Sequence, residues 1–309
     1  VNLLRMWLDH SRGSRGNDPN SRTRFLRQRP LVEAAFDSRT QKISGLRALE
    51  QFIAAERSNW RLRRVPKEEI VELLQTDSQL SRIDLASEKY RDETRFVWRT
   101  ASPFEIALSI RPGSHLSHAT AAFLHGLSDG PASHVYVNKE QSPKDRAGGL
   151  NQASLDRAFK NQQRQSNLSY SDTLGNDYVV LAGRYTNGLE VGTLKGIAGE
   201  NLAGTKLERT LIDLAVRPLY AGGVEGVANA FTRANGRTDP AVLMSTLKTL
   251  DYVYPYHQAI GFYLERAGFD VSVLDRFREL GLQYDFYLAH GMKNTAFDTS
   301  WRVHYPTSS

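Results

Sequence analysis

The sequence predicts an α+β fold in two parts: a small module of helices followed by a strand, then a larger domain in which helices and strands are mixed. Three observations carry that expectation. The chain has 309 residues, 40% hydrophobic and 24% charged, proportions of an ordinary globular protein with length for about two domains. Residues 46–100 show two apolar patterns of helical period before an alternating, strand-like segment. Beyond residue 130 strand-like and helix-like segments alternate, and helices dominate after residue 205. The boundaries read from these patterns are a basic arm over 1–45, a first domain over 46–110 and a second over 111–309.

Composition excludes several chemistries. With no cysteine in the chain, disulfides, thiolate metal sites, iron–sulfur clusters and cysteine nucleophiles are all ruled out. No apolar run reaches the roughly 18 residues that cross a bilayer, and the opening "VNLLRMWL" is too short for a signal peptide. A cytoplasmic protein without a membrane partner is the expectation. The net charge is +6, yet residues 1–45 hold nine Lys and Arg against four Asp and Glu, whereas residues 46–110 balance at eleven each. The excess lies around "SRGSRGNDPNSRTRFLRQRP", which reads as a flexible arm, either phosphate-tracking or merely solvated.

In the first domain, "SGLRALEQFIAAE" places Leu46, Leu49, Phe52 and Ile53 on one helical face. Val65-Pro66 opens a second helix through Ile70, Val71, Leu73 and Leu74. Ser81 to Tyr90 is expected to hold a third helix, and Thr94 to Thr100, "TRFVWRT", alternates as an amphipathic strand does. That order suits a winged helix-like domain, in which one helix enters the major groove and a β-ribbon touches the backbone. Arg61, Arg63, Arg64, Arg95 and Arg99 are its candidate DNA contacts; a small helical cap on the next domain is the plainer reading.

"SPFEIALSIRPG" carries a Ser-x-x-Glu capping box with proline at the first helical position, and Ser117 is placed to cap a helix ending near Gly126. "HVYVNKE" reads as a strand, "QSPKDRAGGLNQ" as a polar loop, and Leu155, Ala158 and Phe159 as a short helix. "DYVVLAGRYT" and "LEVGTLKGI" are further strands. "TKLERTLIDLAVRPLYAGG" then reads as one helix with a marked start and stop. Thr205 with Glu208 fits a capping box, Leu207, Leu211, Ile212, Leu214 and Ala215 form the apolar face, and Pro218 and Gly222-Gly223 end it. Arg209 and Asp213 are spaced as a surface i,i+4 pair. Arg217, at the helix end, either satisfies the last carbonyls or points into a groove. Helices follow in "VEGVANAFTRAN", "PAVLMSTLKTL" and "YHQAIGFYLERAGF", and strands in "LQYDFYLAH" and "WRVHYP".

None of the familiar reactive constellations is complete. "GENLAGTK" has Thr205 before Lys206, the reverse of the order a phosphate-binding loop needs. His115, His118 and His125 are close in sequence without an acidic ligand to complete a zinc set, and hydrogen-bonded core histidines explain them better. No Gly-x-Ser-x-Gly nucleophile is present. The expectation is therefore no catalytic residues, no metal and no cofactor. "YVYPYHQAIGFYLERAG" is rich in tyrosine beside His257 and Gln258, fit either for stacking on bases or for core packing.

Taken together, "LSHATAAFLHGLSD" (116–129), "TKLERTLIDLAVRPLYAGGV" (205–224) and "YHQAIGFYLERAGF" (256–269) resemble the AbiEi family of antitoxins from type IV toxin–antitoxin and abortive-infection systems, over about residues 46–305. The matching positions are Ser117, His118, Thr120, Ala121, His125, Gly126 and Leu127, then Glu208, Arg209, Thr210, Leu211, Asp213, Pro218, Gly222 and Gly223. The resemblance implies a winged helix that binds the promoter DNA of its own operon, followed by a C-terminal antitoxin domain. It also implies a partner, an AbiEii-type nucleotidyltransferase toxin counteracted without need of a stable complex. The motif residues read as mainly structural, and Arg217, Tyr256, His257 and Gln258 are the expected antitoxin surface. Two other readings stand beside this one: a metal-dependent nuclease or phosphoryl-transfer enzyme, and a stand-alone transcription regulator.

Overall fold

The computed structural model describes residues 19–143 and 149–307. The chain divides into two compact units, one of residues up to 85 together with 92–101, the other of 86–91 together with 102 onward. Both mix helices and strands. Residues 1–18, with the apolar opening and the front of the expected arm, lie outside the described residues, as do 144–148 of the polar loop.

The N-terminal unit runs α1 (Pro19–Ser38), β1 (Ile43–Ser44), α2 (Leu46–Glu56), α3 (Lys67–Asp77), β2 (Leu80–Ala86) and β3 (Glu93–Trp98). Its strands pair antiparallel in the order β1-β3-β2, with Ile43 opposite Val97 and Leu80 opposite Trp98. Two expectations are corrected here. The described part of the arm is a helix, because Phe25, Val32 and Phe36 recur at helical spacing and are all buried. Phe36 stacks on Trp98 with ring centres 4.6 Å apart and meets Phe52 edge-on at 5.0 Å, so the arm supplies part of the core. The segment after Ser81 is a strand and turn rather than a helix: six residue pairs tie it to β3, and Leu80 and Leu85 are buried. Pairing with a neighbour decides that segment over local propensity.

The C-terminal unit begins with α4 (Pro103–Ile110), whose Ser102–Glu105 capping box forms as expected. It continues through β4 (His115–Leu116), α5 (His118–Leu124), β5 (Val135–Asn138), α6 (Gln152–Lys160), β6 (Ser169–Asp172), β7 (Asp177–Leu181), β8 (Val191–Lys195) and β9 (Asn201–Thr205). These strands lie in the order β6-β7-β5-β4-β9-β8. Neighbours β5 and β7, and β4 and β9, are parallel, while the other pairs are antiparallel. Then come α7 (Leu207–Val216), a 3-10 turn (Pro218–Ala221), α8 (Gly223–Ala234), α9 (Pro240–Leu250), α10 (Tyr256–Arg266) and α11 (Val271–Arg278). A small sheet of β10 (Phe286–Tyr287), β12 (Val303–Pro306) and β11 (Thr295–Asp298), in that order, closes the unit.

Helices α7 and α10 are the inner elements. Seven consecutive residues of α7, Arg209 to Ala215, are buried, as are Tyr256 and Gln258 to Leu264 of α10. A helix buried on every side needs partners on every side, and α10 has them. Gly261 lies so close to the Trp301 ring that a Cβ there would sit 2.0 Å from it. The Gln258 amide donates to the carbonyls of Tyr284 and Trp301 at 2.8 Å each, which ties the chain on either side of the small C-terminal sheet to the first turn of this helix. The stop of α7 at Arg217 and Pro218 is as the sequence predicts, with Gly222 and Gly223 at φ of 77° and 79°. Its start differs. Lys206 is the cap residue and no side chain caps it; Thr205 ends β9, its hydroxyl 2.8 Å from that of Thr210. The Glu208 carboxylate instead accepts the Asp239 amide at 2.9 Å and so holds the start of α9.

Candidate functional site

In the N-terminal unit Arg61, Arg63 and Arg64 fall in the turn between α2 and α3 and are exposed. Leu62 and Val65, both 1% exposed, anchor that turn to the core. Arg95 and Arg99 are placed differently. Arg95 is 8% exposed and paired with Glu93. Arg99 makes two hydrogen bonds of 2.8 Å to Asp37, which, with a third from the Trp98 indole, hold that carboxyl well below the usual carboxylate range. The alternation of "TRFVWRT" could not show which arginine is already engaged, because the partner Asp37 lies 62 residues away.

The motif residues of the C-terminal unit gather around α7. The Arg209 guanidinium donates to Asp213 at 2.8 Å, and the two side chains are only 4% and 7% exposed. This is a buried ion pair, not the surface pair that the spacing suggests, because α7 is an inner helix. Arg209 also donates to the Leu189 carbonyl at 3.0 Å. Burial pushes the Asp213 carboxyl up, against the pull of Arg209. Close by, Glu140 accepts the Thr186 amide at 2.9 Å and the Thr186 hydroxyl. Asn138 joins β5 to the chain beyond β7 by accepting the Gly183 amide at 2.8 Å, and its amide nitrogen is 3.2 Å from His115 Nε2.

His115 and His118 are core groups, and His125 is half-buried. Burial lowers all three; His118 is pushed down to about 3, with Arg217 and Arg209 adding to the effect. His118 lies 2.9 Å from the Ser117 hydroxyl and edge-on to Tyr220. It has φ of 51°, a left-handed conformation that costs a residue with a Cβ of order 1 kcal/mol or more. His125 donates from Nε2 to the Thr205 carbonyl at 2.8 Å, linking α5 to β9. No group of three acidic or histidine side chains able to hold a metal lies among the described residues, and none of their helices is long and apolar enough to cross a membrane.

The expected surface of Arg217, Tyr256, His257 and Gln258 is not one surface. Gln258 is fully buried, and His257 donates to the Gly281 carbonyl at 2.7 Å. Arg217 and Tyr256 do come together, in the wall of a cavity of about 800 Å³. Four separated stretches build it. The chain leaving β5 gives Gln141 to Pro143, and the chain leaving its parallel neighbour β7 gives Ala182, Arg184 and Tyr185. The end of α7 gives Val216 and Arg217, and the turn before α10 gives Tyr252 to Tyr254 and Tyr256; Gln163, Arg164 and His290 complete the lining. The carboxyl ends of parallel strands are where open α/β sheets commonly place ligands.

Among the described residues, three arginines and no carboxylate line this cavity. Arg184 is engaged in part, donating to the Leu250 and Asp251 carbonyls at 2.7 and 2.9 Å and so capping the end of α9. Arg217 is half-buried, with its guanidinium 6.0 Å from the Tyr220 ring. His290 stacks on Phe159 at 4.1 Å and donates from Nδ1 to the Ala158 carbonyl; burial lowers it, and Arg217 lowers it further. Burial raises the Tyr252 and Tyr256 hydroxyls, so both stay neutral donors at physiological pH. The sequence signals were the tyrosine cluster and the forced helix end at Arg217; the strand-end residues Arg184 and Tyr185 carried none.

No family model matches the chain, and no curated protein matches it. Among solved structures its fold is similar to that of the Rv2827c protein from Mycobacterium tuberculosis, at 12% sequence identity and a TM-score of 0.56, with 94% of each chain covered.

Proposed function

We propose that this chain is an antitoxin of the AbiEi kind in a type IV system, with an N-terminal winged helix that represses its own promoter and a C-terminal unit that counteracts a nucleotidyltransferase toxin. The observation that supports the reading is the element order α1-β1-α2-α3-β2-β3 with strands in the order β1-β3-β2. In a winged helix, α2 and α3 form the helix-turn-helix and the β2–β3 hairpin forms the wing. The described helical part of the arm, Pro19–Ser38, is then the first helix of this module. The C-terminal unit keeps the AbiEi-like motif residues in one connected set around α7, as a scaffold rather than a reactive centre.

Charge refines the DNA contact. Helix α3 carries Lys67 against Glu68, Glu69, Glu72 and Asp77, a poor face for the phosphate backbone. The exposed arginines of the preceding turn, Arg61, Arg63 and Arg64, are the better phosphate ligands, and Arg95 and Arg99 act within the unit. Titration of labelled DNA from upstream of the gene, at several salt concentrations, tests this. Replacing the three arginines by alanine lowers the salt slope by about 2.7, since each phosphate contact is worth about 0.9. A parent chain that binds its upstream DNA no better than scrambled DNA ends the repressor reading. For the antitoxin half, the neighbouring reading frame is induced in a heterologous host with and without this chain, and toxicity left unrelieved ends that half.

A further inference from the structure

We propose that the cavity at the carboxyl ends of β5 and β7 binds a mononucleotide, its phosphate on Arg217 and its base on the tyrosines of the wall. This inference does not rest on the antitoxin reading. Arg217 is half-buried; its backbone bonds Asp213 and Tyr220, but its guanidinium, 6.0 Å from the Tyr220 ring, makes no hydrogen bond or ion pair with any described residue. Its nearest buried carboxylate, Asp213, is engaged by Arg209 at 2.8 Å. A cation drawn from water without a partner is costly, and an arginine fork matches phosphate oxygens two at a time. Arg164 and Arg184 add positive charge to the same wall, and none of its described lining residues is acidic.

The rest of the wall selects what the anion must carry. Tyr185 and Val253 are two of the large apolar side chains that stay exposed, at 44% and 45%, and both line this cavity; Tyr254, held edge-on against Phe159 at 5.3 Å, lines it too. Flat aromatic faces beside arginines suit a base joined to a phosphate. A sulfate or a polyphosphate leaves the tyrosines unused, and an aliphatic acid gains little from them. About 800 Å³ lies within the range of small-molecule sites and has room for a nucleotide.

Calorimetric titration of the full chain with AMP, CMP, GMP, UMP, ATP and GTP tests the proposal, with the four corresponding nucleosides and inorganic phosphate titrated separately. The expected result is one saturable site for at least one nucleotide, binding it about ten-fold or more tightly than its nucleoside or phosphate alone. Arg217→Ala weakens that binding about 10- to 100-fold, as loss of a charged bidentate contact does. Tyr254→Ala weakens it about 5- to 100-fold, whereas Tyr254→Phe, which keeps the ring, leaves it within about two-fold. Hydrogen exchange of α7 and α10, equal to the parent's in each variant, separates a lost contact from a lost fold. No saturation by any nucleotide at millimolar concentration overturns the proposal. So does binding that survives Arg217→Ala, and so does phosphate alone binding as tightly as the nucleotides.

Discussion

Replacing Arg209 by methionine leaves the Asp213 carboxyl inside α7 with the aliphatic part of its partner but none of the charge. Breaking one side of a buried ion pair costs about 3–5 kcal/mol. A carboxyl that cannot stay ionised must hold a proton, and holding it at pH 7 against an unfolded value near 3.9 costs about 4 kcal/mol, at about 1.4 kcal/mol per pH unit. The sign follows from the direction of the shift. Burial already pushes Asp213 up, and loss of Arg209 pushes it further, so the folded variant binds a proton that the unfolded chain has released. Its stability therefore falls as pH rises above about 4, and lowering the pH from 7 to 5 returns about 2.7 kcal/mol of the loss. Hydrogen exchange of α7 peptides in the full chain reads this unit by itself, with the parent measured at each pH as reference. Adding Asp213→Leu removes the stranded acid, which restores most of the protection and abolishes the pH dependence of the difference. Unchanged protection in Arg209→Met at pH 7, or an equal loss at pH 5 and pH 7, refutes the account of a buried charge pair.

Two further predictions concern packing and pH. His118, pushed down to about 3, stays neutral in the fold while the unfolded chain takes up a proton below about 6.5. The parent loses stability as pH falls from 6.5 toward 3, at up to about 1.4 kcal/mol per unit from this group, and His118→Gln flattens that slope; a His118 imidazole, assigned by its loss in His118→Gln, that titrates near 6.5 by NMR contradicts it. Gly261→Ala puts a methyl carbon where the Trp301 ring lies 2.0 Å away, so the C-terminal unit loses about 1–3 kcal/mol and the tryptophan emission shifts. An alanine variant as stable as the parent means that Trp301 has room to move.

The sequence shows most of the helices because their caps and periods are local. The Ser102–Glu105 box, the helix over Leu207–Val216 and the stop at Arg217-Pro218 depend on residues within a few positions of one another. What it hides depends on distance. Helix α1 exposes so polar a surface that Phe25, Val32 and Phe36 do not stand out until the core they join, with Phe52, Trp60 and Trp98 around Phe36, is in place. The strand after Ser81 is set by its register with β3, and β9 by pairing of Gly204 with Leu116, 88 positions earlier. Arg209 and Asp213 have the same spacing whether exposed or buried, so burial alone turns a minor surface pair into a central one. The cavity is of the same kind. Arg217 and the tyrosines are visible in the sequence as oddities, but only the meeting of β5, β7, α7 and the turn before α10 makes them one site.

The seat of Trp301 against Gly261 has a consequence for the order in which the chain is made. Synthesis proceeds from the N-terminus at about 5–20 residues per second, so residues 102–301 take roughly 10 to 40 s to appear. The described N-terminal unit is complete in sequence by residue 101, while α10 waits for a side chain 40 residues downstream before its glycine face is covered. A nonsense mutation anywhere between 102 and 300 thus spares every residue of the first core and removes a keystone of the second, making the residues near 300 as exacting as those of α7 and α10 themselves.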